Sequence, residues 1–273
     1  MKTILTITFA ILTQVVFAQK NLTKLWQSDT TLRSPESVCI DAKNKVLYVS
    51  NTVSFNEKGT SFISKLDMNG KFISREWIKG LNAVLGLGMY KDRLYAAEAN
   101  SKELVVINIK TAEVIKRIPV EGAVLLNDIT IDEKGIVYVS DTRTGKVIRI
   151  ENDQPAVYLE NLKGVNGLLA VGKMLYILSD GALIKADENK NTEVISKGME
   201  GGLDGVAQVN DKEFLVSGWQ GLVYYVNADG SNQVLLDTRA EKISAADINY
   251  NKTSKTLYVP TVRSNSIVAY QVK

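Results

Sequence analysis

A strand-like motif recurs six times along the chain at nearly even spacing. The copies, such as VLYVSN and IVYVSD, centre on Leu47, Leu94, Val137, Leu175, Phe214 and Leu257. The steps between them are 47, 43, 38, 39 and 43 residues, and each unit contains several short β-branched or aromatic segments separated by Gly, Asn and Asp. Such a period is typical of propeller blades, and no segment shows helical periodicity over three turns. The sequence predicts an all-β protein, a six-bladed β-propeller.

The two ends of the chain complement each other. The sixth copy stops at IVAYQVK, after three strands. The segment LTKLWQS, near the other end, resembles the fourth strands PAVYLEN and NQVLLDT of earlier copies. We expect this N-terminal strand to close the last blade, because closure removes an exposed sheet edge. Residues 19–273 are therefore predicted to form a single six-bladed domain.

The first residues have the features of a signal peptide. Lys2 supplies a short positive region, an apolar run extends from Ile4 to Phe17, and Val16 and Ala18 match a cleavage site after residue 18. The run is shorter than the roughly 20 residues of a membrane-spanning helix. Residues 1–18 are predicted to be removed, which leaves a periplasmic or secreted protein with no membrane span. A retained anchor is the alternative.

The composition excludes several chemistries. The chain has no histidine, which rules out Ser-His-Asp and Cys-His catalysis and zinc sites built on imidazole. Cys39 is the only cysteine, and its place in an alternating strand pattern favours a buried apolar role. The 33 basic and 30 acidic residues form no basic block, so no nucleic-acid partner is predicted. Chemistry must therefore use carboxylates, amides, hydroxyls, Lys, Tyr or a metal held by oxygen.

The positions that precede the six first strands form a second pattern. The first strand of each propeller blade lines the central channel, so equal offsets should place side chains at one height near one mouth. We aligned the six first strands on the turn that follows each of them. The equivalent positions at the start of these strands are Glu36, Gly86, Asn127, Asn166, Asp204 and Ala246. Four of these carry oxygen ligands, and the other two leave space. The sequence predicts a polar ring at the mouth.

The predicted ring has the donor set of a hard cation. Glu36 and Asp204 would repel each other across the channel, and their pKa values would rise unless a positive charge lay between them. Carboxylate and amide oxygens suit Ca²⁺, Mg²⁺ or Mn²⁺, with Zn²⁺ kept as a further option. We predict one divalent metal there, with open positions for a small-molecule substrate. The alternative is structural, because Asn and Asp are common turn residues.

The second strands run back to the same mouth. Residues at or just beyond their ends include Glu98, Asp141, Trp219 and Arg263. We predict that these four, together with Asn127, contact the substrate. The alternative is plain polar surface, since strand ends at loops are generally polar.

The segments PESVCID, LLNDITID, VNGLL and LDGVAQV resemble the regucalcin and gluconolactonase family of six-bladed propellers, over essentially the whole mature chain. The resemblance implies metal ligands at Glu36, Asn166 and Asp204. It implies that Asn127 faces the substrate or completes the metal shell, and that Asp204 is also the general base. It further implies hydrolysis of sugar lactones or related esters.

The chain departs from the family pattern in two places. Leu125 stands where members active on sugar lactones tend to carry Arg, and Ser37-Val38 replaces the usual Gly-Pro. The identity of the substrate therefore does not carry over. Our first hypothesis is an exported, metal-dependent hydrolase of a sugar lactone or small ester. The alternatives are a non-catalytic propeller that binds a ligand or partner, and a lyase similar to strictosidine synthase.

Overall fold

The computed structural model describes residues 20–273, and the predicted signal peptide, residues 1–18, lies outside this range. The described residues form six four-stranded antiparallel sheets. This arrangement is the predicted six-bladed β-propeller. Within the same range, no helix is long and apolar enough to cross a membrane.

The strands follow one another blade by blade. Blade one contains β2 (Pro35–Asp41), β3 (Val46–Asn51), β4 (Ser61–Asp67) and β5 (Phe72–Leu81). Blade two contains β6 (Val84–Tyr90), β7 (Arg93–Glu98), β8 (Glu103–Asn108) and β9 (Glu113–Pro119). Blade three contains β10 (Leu126–Ile131), β11 (Val137–Asp141), β12 (Lys146–Glu151) and β13 (Gln154–Leu159).

Blade four contains β14 (Leu168–Val171), β15 (Met174–Ser179), β16 (Ala182–Ala186) and β17 (Thr192–Ser196). Blade five contains β18 (Leu203–Gln208), β19 (Phe214–Gly218), β20 (Leu222–Val226) and β21 (Asn232–Asp237). Blade six combines β22 (Asn249–Asn251), β23 (Thr256–Thr261) and β24 (Ser266–Val272) with β1 (Leu22–Gln27). A 3-10 turn, Val262–Ser264, connects β23 to β24.

The closure of the ring by the N-terminal strand is confirmed. Strand β1 pairs antiparallel with β24, from Leu22 opposite Val272 to Gln27 opposite Val268. It is the outermost strand of blade six, whose order is β22-β23-β24-β1. The last blade is therefore made from both ends of the chain, as the unpaired edge of a three-stranded blade predicted.

Apolar side chains fill the space between neighbouring blades. Between blades one and two, Tyr48 and Leu94 are almost fully buried, and the rings of Tyr48 and Trp77 have centroids 4.7 Å apart. Cys39 belongs to the same cluster, and burial raises the pKa of its thiol to about 12. Its predicted role as a buried apolar residue agrees with this position. The tight packing holds the inner strands at fixed positions around the channel.

Four inner strands carry a β-bulge near the mouth. In β2, for example, the register shifts between Pro35 and Val38, so that two residues oppose one residue of β3. The same shift occurs in β6, β10 and β18. A bulge leaves a backbone amide without its ladder partner. Ser50 Oγ accepts this bond from Ser37 N, at 2.9 Å.

The serine of the recurring second-strand motif therefore has a structural purpose. Ser140 Oγ accepts from Asp128 N at 3.0 Å in blade three, and Ser217 Oγ accepts from Gly205 N at 2.8 Å in blade five. A hydroxyl at this point satisfies the amide that the bulge releases. The serine of the VS pair in VLYVSN, IVYVSD and FLVSG therefore stabilises the bulged inner strand of its blade.

The register corrects one member of the predicted ring. Val84 pairs with Glu98 as Pro35 pairs with Asn51, so Leu85, rather than Gly86, occupies the position of Glu36 in blade two. The error arises from turn length. Blade two turns through two residues, between Tyr90 and Arg93, whereas blade one turns through residues 42–45. Leu85 is 6% exposed, so an apolar side chain stands where the sequence predicted open space.

Candidate functional site

The four predicted oxygen donors lie at corresponding positions, three on inner strands and Asn166 two residues before β14. Glu36, Asn127 and Asp204 are buried, with exposed fractions of 7%, 9% and 2%, and Asn166 is partly buried. Asn166 Nδ2 donates a 3.0 Å hydrogen bond to Asp204 Oδ1. Glu36 is near enough to Asp204 for the two charges to interact. The structure thus places Asn166 in contact with Asp204, and Glu36 within electrostatic range of Asp204.

Three side-chain oxygens in this group are buried and have no hydrogen-bond partner among the described residues. They are Glu36 Oε2, Asn127 Oδ1 and Asn166 Oδ1. Leaving a buried acceptor unsatisfied costs about 1–3 kcal/mol. Three such atoms at one level of one channel can be satisfied by a cation or by N–H or O–H donors of a ligand or water.

Hydrogen bonds orient both amides. Asn127 Nδ2 donates to Thr142 Oγ1 at 3.0 Å, and Asn166 Nδ2 donates to Asp204. Each amide uses its nitrogen on a protein acceptor and keeps its oxygen free. This is the orientation that a cation or a donor group of a ligand requires.

The local electrostatics disfavour negative charge on Glu36 and Asp204. Burial, followed by the charges of Asp204, Asp247 and Asp128, raises the pKa of Glu36 well above its usual value. Burial and the charge of Asp247 raise the pKa of Asp204, while the hydrogen bond from Asn166 lowers it. Both carboxyl groups would ionise more readily beside a cation.

Two further carboxyl groups, which the sequence analysis missed, lie one residue deeper in the channel than the ring positions. Asp128 Oδ2 accepts from Leu168 N at 2.6 Å, which connects blade three to blade four. Asp247 Oδ2 accepts from Ser37 Oγ at 2.5 Å, which connects blade six to blade one. Burial raises the pKa of Asp247 to about 7. The available signal was their place directly after the ring positions Asn127 and Ala246; in blade three this second residue belongs to the bulge of β10.

Glycines occupy this deeper position in blades two, four and five. A Cβ on Gly86 would lie 2.5 Å from the carbonyl oxygen of Asn127, and one on Gly167 would overlap the carbonyl oxygen of Asp204. The absence of a side chain lets adjacent inner strands approach closely. Two of the ring residues are therefore positioned by a glycine of the preceding blade.

The donor set fits a hard divalent cation. Residues 20–273 contain no cluster of three or more His, Cys, Asp or Glu side chains arranged to hold a metal. The candidate site instead combines two carboxylates, Glu36 and Asp204, with two amides, Asn127 and Asn166. An all-oxygen set with partner-free atoms matches the preference of Ca²⁺, Mg²⁺ and Mn²⁺ better than that of Zn²⁺.

Glu98, predicted to contact the substrate, is fully buried. Its carboxylate accepts from Asn82 N at 3.0 Å and from Ser101 Oγ at 2.5 Å, and pairs with Arg117 at 2.6 Å. These contacts hold the loop that leads into β6. The side chain is engaged in the fold and is not open to a ligand.

Asp141 has the same kind of role in blade three. It is 1% exposed and accepts from Val124 N and Leu125 N, both at 2.9 Å. Burial opposes ionisation, but hydrogen bonds from Leu125, Thr144 and Val124 outweigh it and lower the pKa of Asp141. The polar residue at the end of the second strand thus fixes the loop before β10, contrary to its predicted contact with substrate.

Trp219 and Arg263 remain open at the mouth. Trp219 is 37% exposed and lies in the turn after β19, where its backbone amide donates to Gly202 O at 2.9 Å. Arg263 is also exposed, and its amide donates to Ser244 Oγ at 3.2 Å. Of the four rim residues that the sequence suggested, these two have side chains available to a ligand.

A cavity of about 450 Å³ occupies the other end of the channel. Its walls include Asp128, Asp247, Thr130 and Gln208, and Lys252 Nζ donates to Gln208 Oε1 at 2.6 Å. The two deeper carboxyl groups therefore line this cavity, whereas Glu36, Asn127, Asn166 and Asp204 do not.

No protein-family profile matches the chain, and no curated protein sequence matches it. Several solved structures match the chain. The chain is similar to a catalytically inactive virginiamycin B lyase from Staphylococcus aureus with quinupristin, at a TM-score of 0.68 and 11% identity over 93% of this chain and 99% of that one. It is also similar to a streptogramin B lyase, at a TM-score of 0.63 and 10% identity over 93% and 98%.

A third similar structure is the nidogen/laminin complex, with a TM-score of 0.67 and 14% identity over 78% of this chain and 86% of that chain. The identities are low, so these likenesses establish the fold: the chain is a six-bladed β-propeller. Because the complex and the lyases share the architecture, function has to be inferred from the residues at the mouth.

Proposed function

We propose that the protein is an exported, metal-dependent hydrolase of a sugar lactone or related small ester. The observation that supports this most directly is the group of partner-free, buried oxygens on Glu36, Asn127 and Asn166, beside the carboxylate of Asp204. A cation would give all of these oxygens a partner at once. The apolar, cleavable N-terminal segment supports export to the periplasm or the medium.

Glu36, Asn166 and Asp204 would hold the cation, and Asn127 would complete its shell or bind the substrate. A bound divalent cation supplies a Lewis acid that polarises a carbonyl and acidifies water. The resemblance to the regucalcin and gluconolactonase family supports the same ligand set. The chain's all-oxygen donors and lack of histidine are consistent with this chemistry.

Asp204 is the proposed general base. A carboxylate at this position can accept a proton from water or the substrate; burial and the charge of Asp247 raise the pKa of its carboxyl group, and the hydrogen bond from Asn166 lowers it. Its hydrogen bond from Asn166 fixes one oxygen and leaves the other for a proton. Asn127, oriented by Thr142, presents a free amide oxygen to a hydroxyl or water of the substrate.

The lyase structures do not transfer their chemistry to this chain. The virginiamycin B lyase that resembles it is an inactive variant in which a histidine is replaced by alanine. The present chain has no histidine at all. A lyase of that kind is therefore a weaker proposal than a hydrolase that uses carboxylates and a metal.

A second candidate function is a non-catalytic propeller that binds a ligand or partner at the same mouth. Leu85 and Leu125 favour it, because they pack into an apolar cluster with Ala83 and Ala99 on the blade-two side of the mouth. Under this hypothesis the cation would be structural.

The deciding experiment uses the mature protein, stripped with chelator and assayed on lactones and phenyl esters with Ca²⁺, Mg²⁺, Mn²⁺ or Zn²⁺ restored. We expect metal-dependent turnover that Asp204→Asn abolishes. Asp180→Asn is the matched control, because Asp180 is an exposed carboxylate at the same face. Cation binding without turnover of any substrate would support the binding propeller, and unchanged cation affinity in Asp204→Asn would refute the site.

A further inference from the structure

Two arginines lie on adjacent loops at the mouth. Arg33 is in the segment between β1 and β2, and Arg263 is in the 3-10 turn Val262–Ser264. Ser34 N donates a 2.9 Å hydrogen bond to Asn265 Oδ1. This bond joins the two loops within two residues of each arginine, and both arginine side chains are exposed.

The backbone on either side of these arginines is fixed. Arg33 N donates to Asn51 Oδ1 at 2.8 Å, and Arg263 N donates to Ser244 Oγ at 3.2 Å. Asn265 adopts a left-handed conformation, with φ 51° and ψ 39°, which ends the 3-10 turn and directs its side chain to the neighbouring loop. Polar side chains are thus used to hold both loops in place, as a preorganised site requires.

The guanidinium groups themselves are available. In residues 20–273, neither Arg33 nor Arg263 forms an ion pair or a side-chain hydrogen bond. Elsewhere in this range, arginine ion pairs are formed by Arg117, Arg149 and Arg239. A pair of unneutralised guanidinium groups suits an oxyanion, because their donors match a carboxylate or a phosphate in bidentate geometry.

An aromatic side chain lies on the next loop of the ring. Trp219, on blade five, is 37% exposed, and blades five, six and one are consecutive. One side of the mouth therefore carries an indole and two cationic groups in series. An exposed indole provides a flat apolar surface for a ring.

The spacing to the candidate metal site is short. Arg33 precedes Glu36 by three residues, so their Cα atoms are no more than about 11 Å apart. One small molecule can span this distance. We propose that the substrate of this site carries an anionic group, a carboxylate or a phosphate, that binds Arg33 and Arg263 while its ester or lactone carbonyl lies at Asp204. This inference rests on the proposed hydrolase function.

The test measures binding to the mature protein with Ca²⁺ by calorimetry at low ionic strength, with phenol, 4-hydroxybenzoate and phenyl phosphate as probes. We expect at least one anionic probe to bind ten or more times more tightly than phenol, and the tighter of the two identifies the preferred group. The double variant Arg33→Gln, Arg263→Gln should lose this preference. Arg143→Gln, which changes an exposed arginine on the blade-three mouth loop, should keep it.

Three results would overturn the proposal: no anion preference in the wild type, an intact preference in the double variant, or an equal loss in Arg143→Gln. Kinetics with phenyl acetate and 4-acetoxybenzoate separate this proposal from the hydrolase function. If the double variant has a higher KM for 4-acetoxybenzoate and an unchanged KM for phenyl acetate, the result supports the anion site. An absence of turnover with an intact anion preference contradicts only the hydrolase, whereas turnover without that preference contradicts only the anion site.

Discussion

The amide of Asn166 donates a hydrogen bond of 3.0 Å to the carboxylate of Asp204, which joins the entry of blade four to the inner strand of blade five. This bond determines which way the amide faces, so that Asn166 Oδ1 is buried without a partner. It also favours the ionised form of Asp204 against burial. In the proposed site, this one side chain would offer a neutral oxygen to the cation and stabilise the charge of Asp204.

Replacing Asn166 separates these two contributions. Asn166→Ala removes both the free oxygen and the bond to Asp204, and we expect cation affinity to fall about tenfold or more. Asn166→Asp restores an oxygen but not the donor, so it should bind the cation more tightly than Asn166→Ala. Calorimetric titration of each variant with Ca²⁺ and Mn²⁺ gives the comparison. Equal affinities in the wild type and Asn166→Ala would show that Asn166 is not a ligand.

The stability of the metal-free protein should depend on pH. Burial raises the pKa of Asp247 from 3.8 to about 7, and the pKa values of Glu36 and Asp204 are raised as well. The folded protein therefore holds protons more tightly than the unfolded chain. Its unfolding free energy is highest below about pH 4 on account of these groups, and this contribution is lost as the pH rises through about 7.

Urea unfolding in chelator between about pH 4.5 and pH 7.5 measures this effect, and we expect a fall of at least about 1 kcal/mol. Asp247→Asn should reduce the slope of the profile, because the amide does not titrate while Glu36 and Asp204 still do. Added Ca²⁺ should restore stability at neutral pH, where the carboxylates are ionised. A metal-free protein that gained stability across this range would contradict the assigned direction of the pKa shifts.

Glu98 and Trp219, both predicted from the sequence to contact substrate, should respond differently to mutation. Glu98→Ala leaves Asn82 N without its acceptor and Arg117 with Glu103 as its one remaining ion-pair partner, so we expect a loss of about 1–3 kcal/mol in unfolding free energy. Trp219→Ala should change stability by less than about 1 kcal/mol and raise KM. Denaturant unfolding and steady-state kinetics on both variants provide the test. A stable Glu98→Ala protein with a raised KM would return Glu98 to the substrate site.

The sequence predicted the ring of blades well because each blade repeats one chemical pattern. The period, the second-strand motif and the unpaired β24 edge together specified six blades closed by β1. The closed ring depends on many similar contacts between blades, so a wrong assignment within one blade does not change the predicted architecture.

Individual side chains were harder to predict. Leu85 was missed because a two-residue turn shifts the count in blade two. Glu98 and Asp141 were placed at the substrate because a polar residue at a strand end can face a ligand or hold a loop, and the sequence contains no signal that separates these roles. Asp128 and Asp247 were missed because the alignment considered one residue per blade, and these two carboxyl groups each follow a ring position by one residue.

The close packing of inner strands yields the last prediction. Gly86 adopts an ordinary backbone conformation, yet a Cβ there would lie 2.5 Å from the carbonyl oxygen of Asn127 and 2.7 Å from the Cα of Asp128. Gly86→Ala must therefore displace the inner strand of blade three. We expect a loss of about 1–3 kcal/mol in stability, together with weaker cation binding, because Asn127 moves relative to Glu36.

Gly201→Ala is the matched control, since a Cβ at Gly201 has no atom within 4 Å and the residue is exposed. Thermal unfolding with and without Ca²⁺ measures both effects in one experiment. The cation-induced rise in Tm should shrink in Gly86→Ala and persist in Gly201→Ala. A full cation response in a destabilised Gly86→Ala protein would mean that Asn127 stands outside the metal shell, and would leave it as a substrate-facing amide held by Thr142.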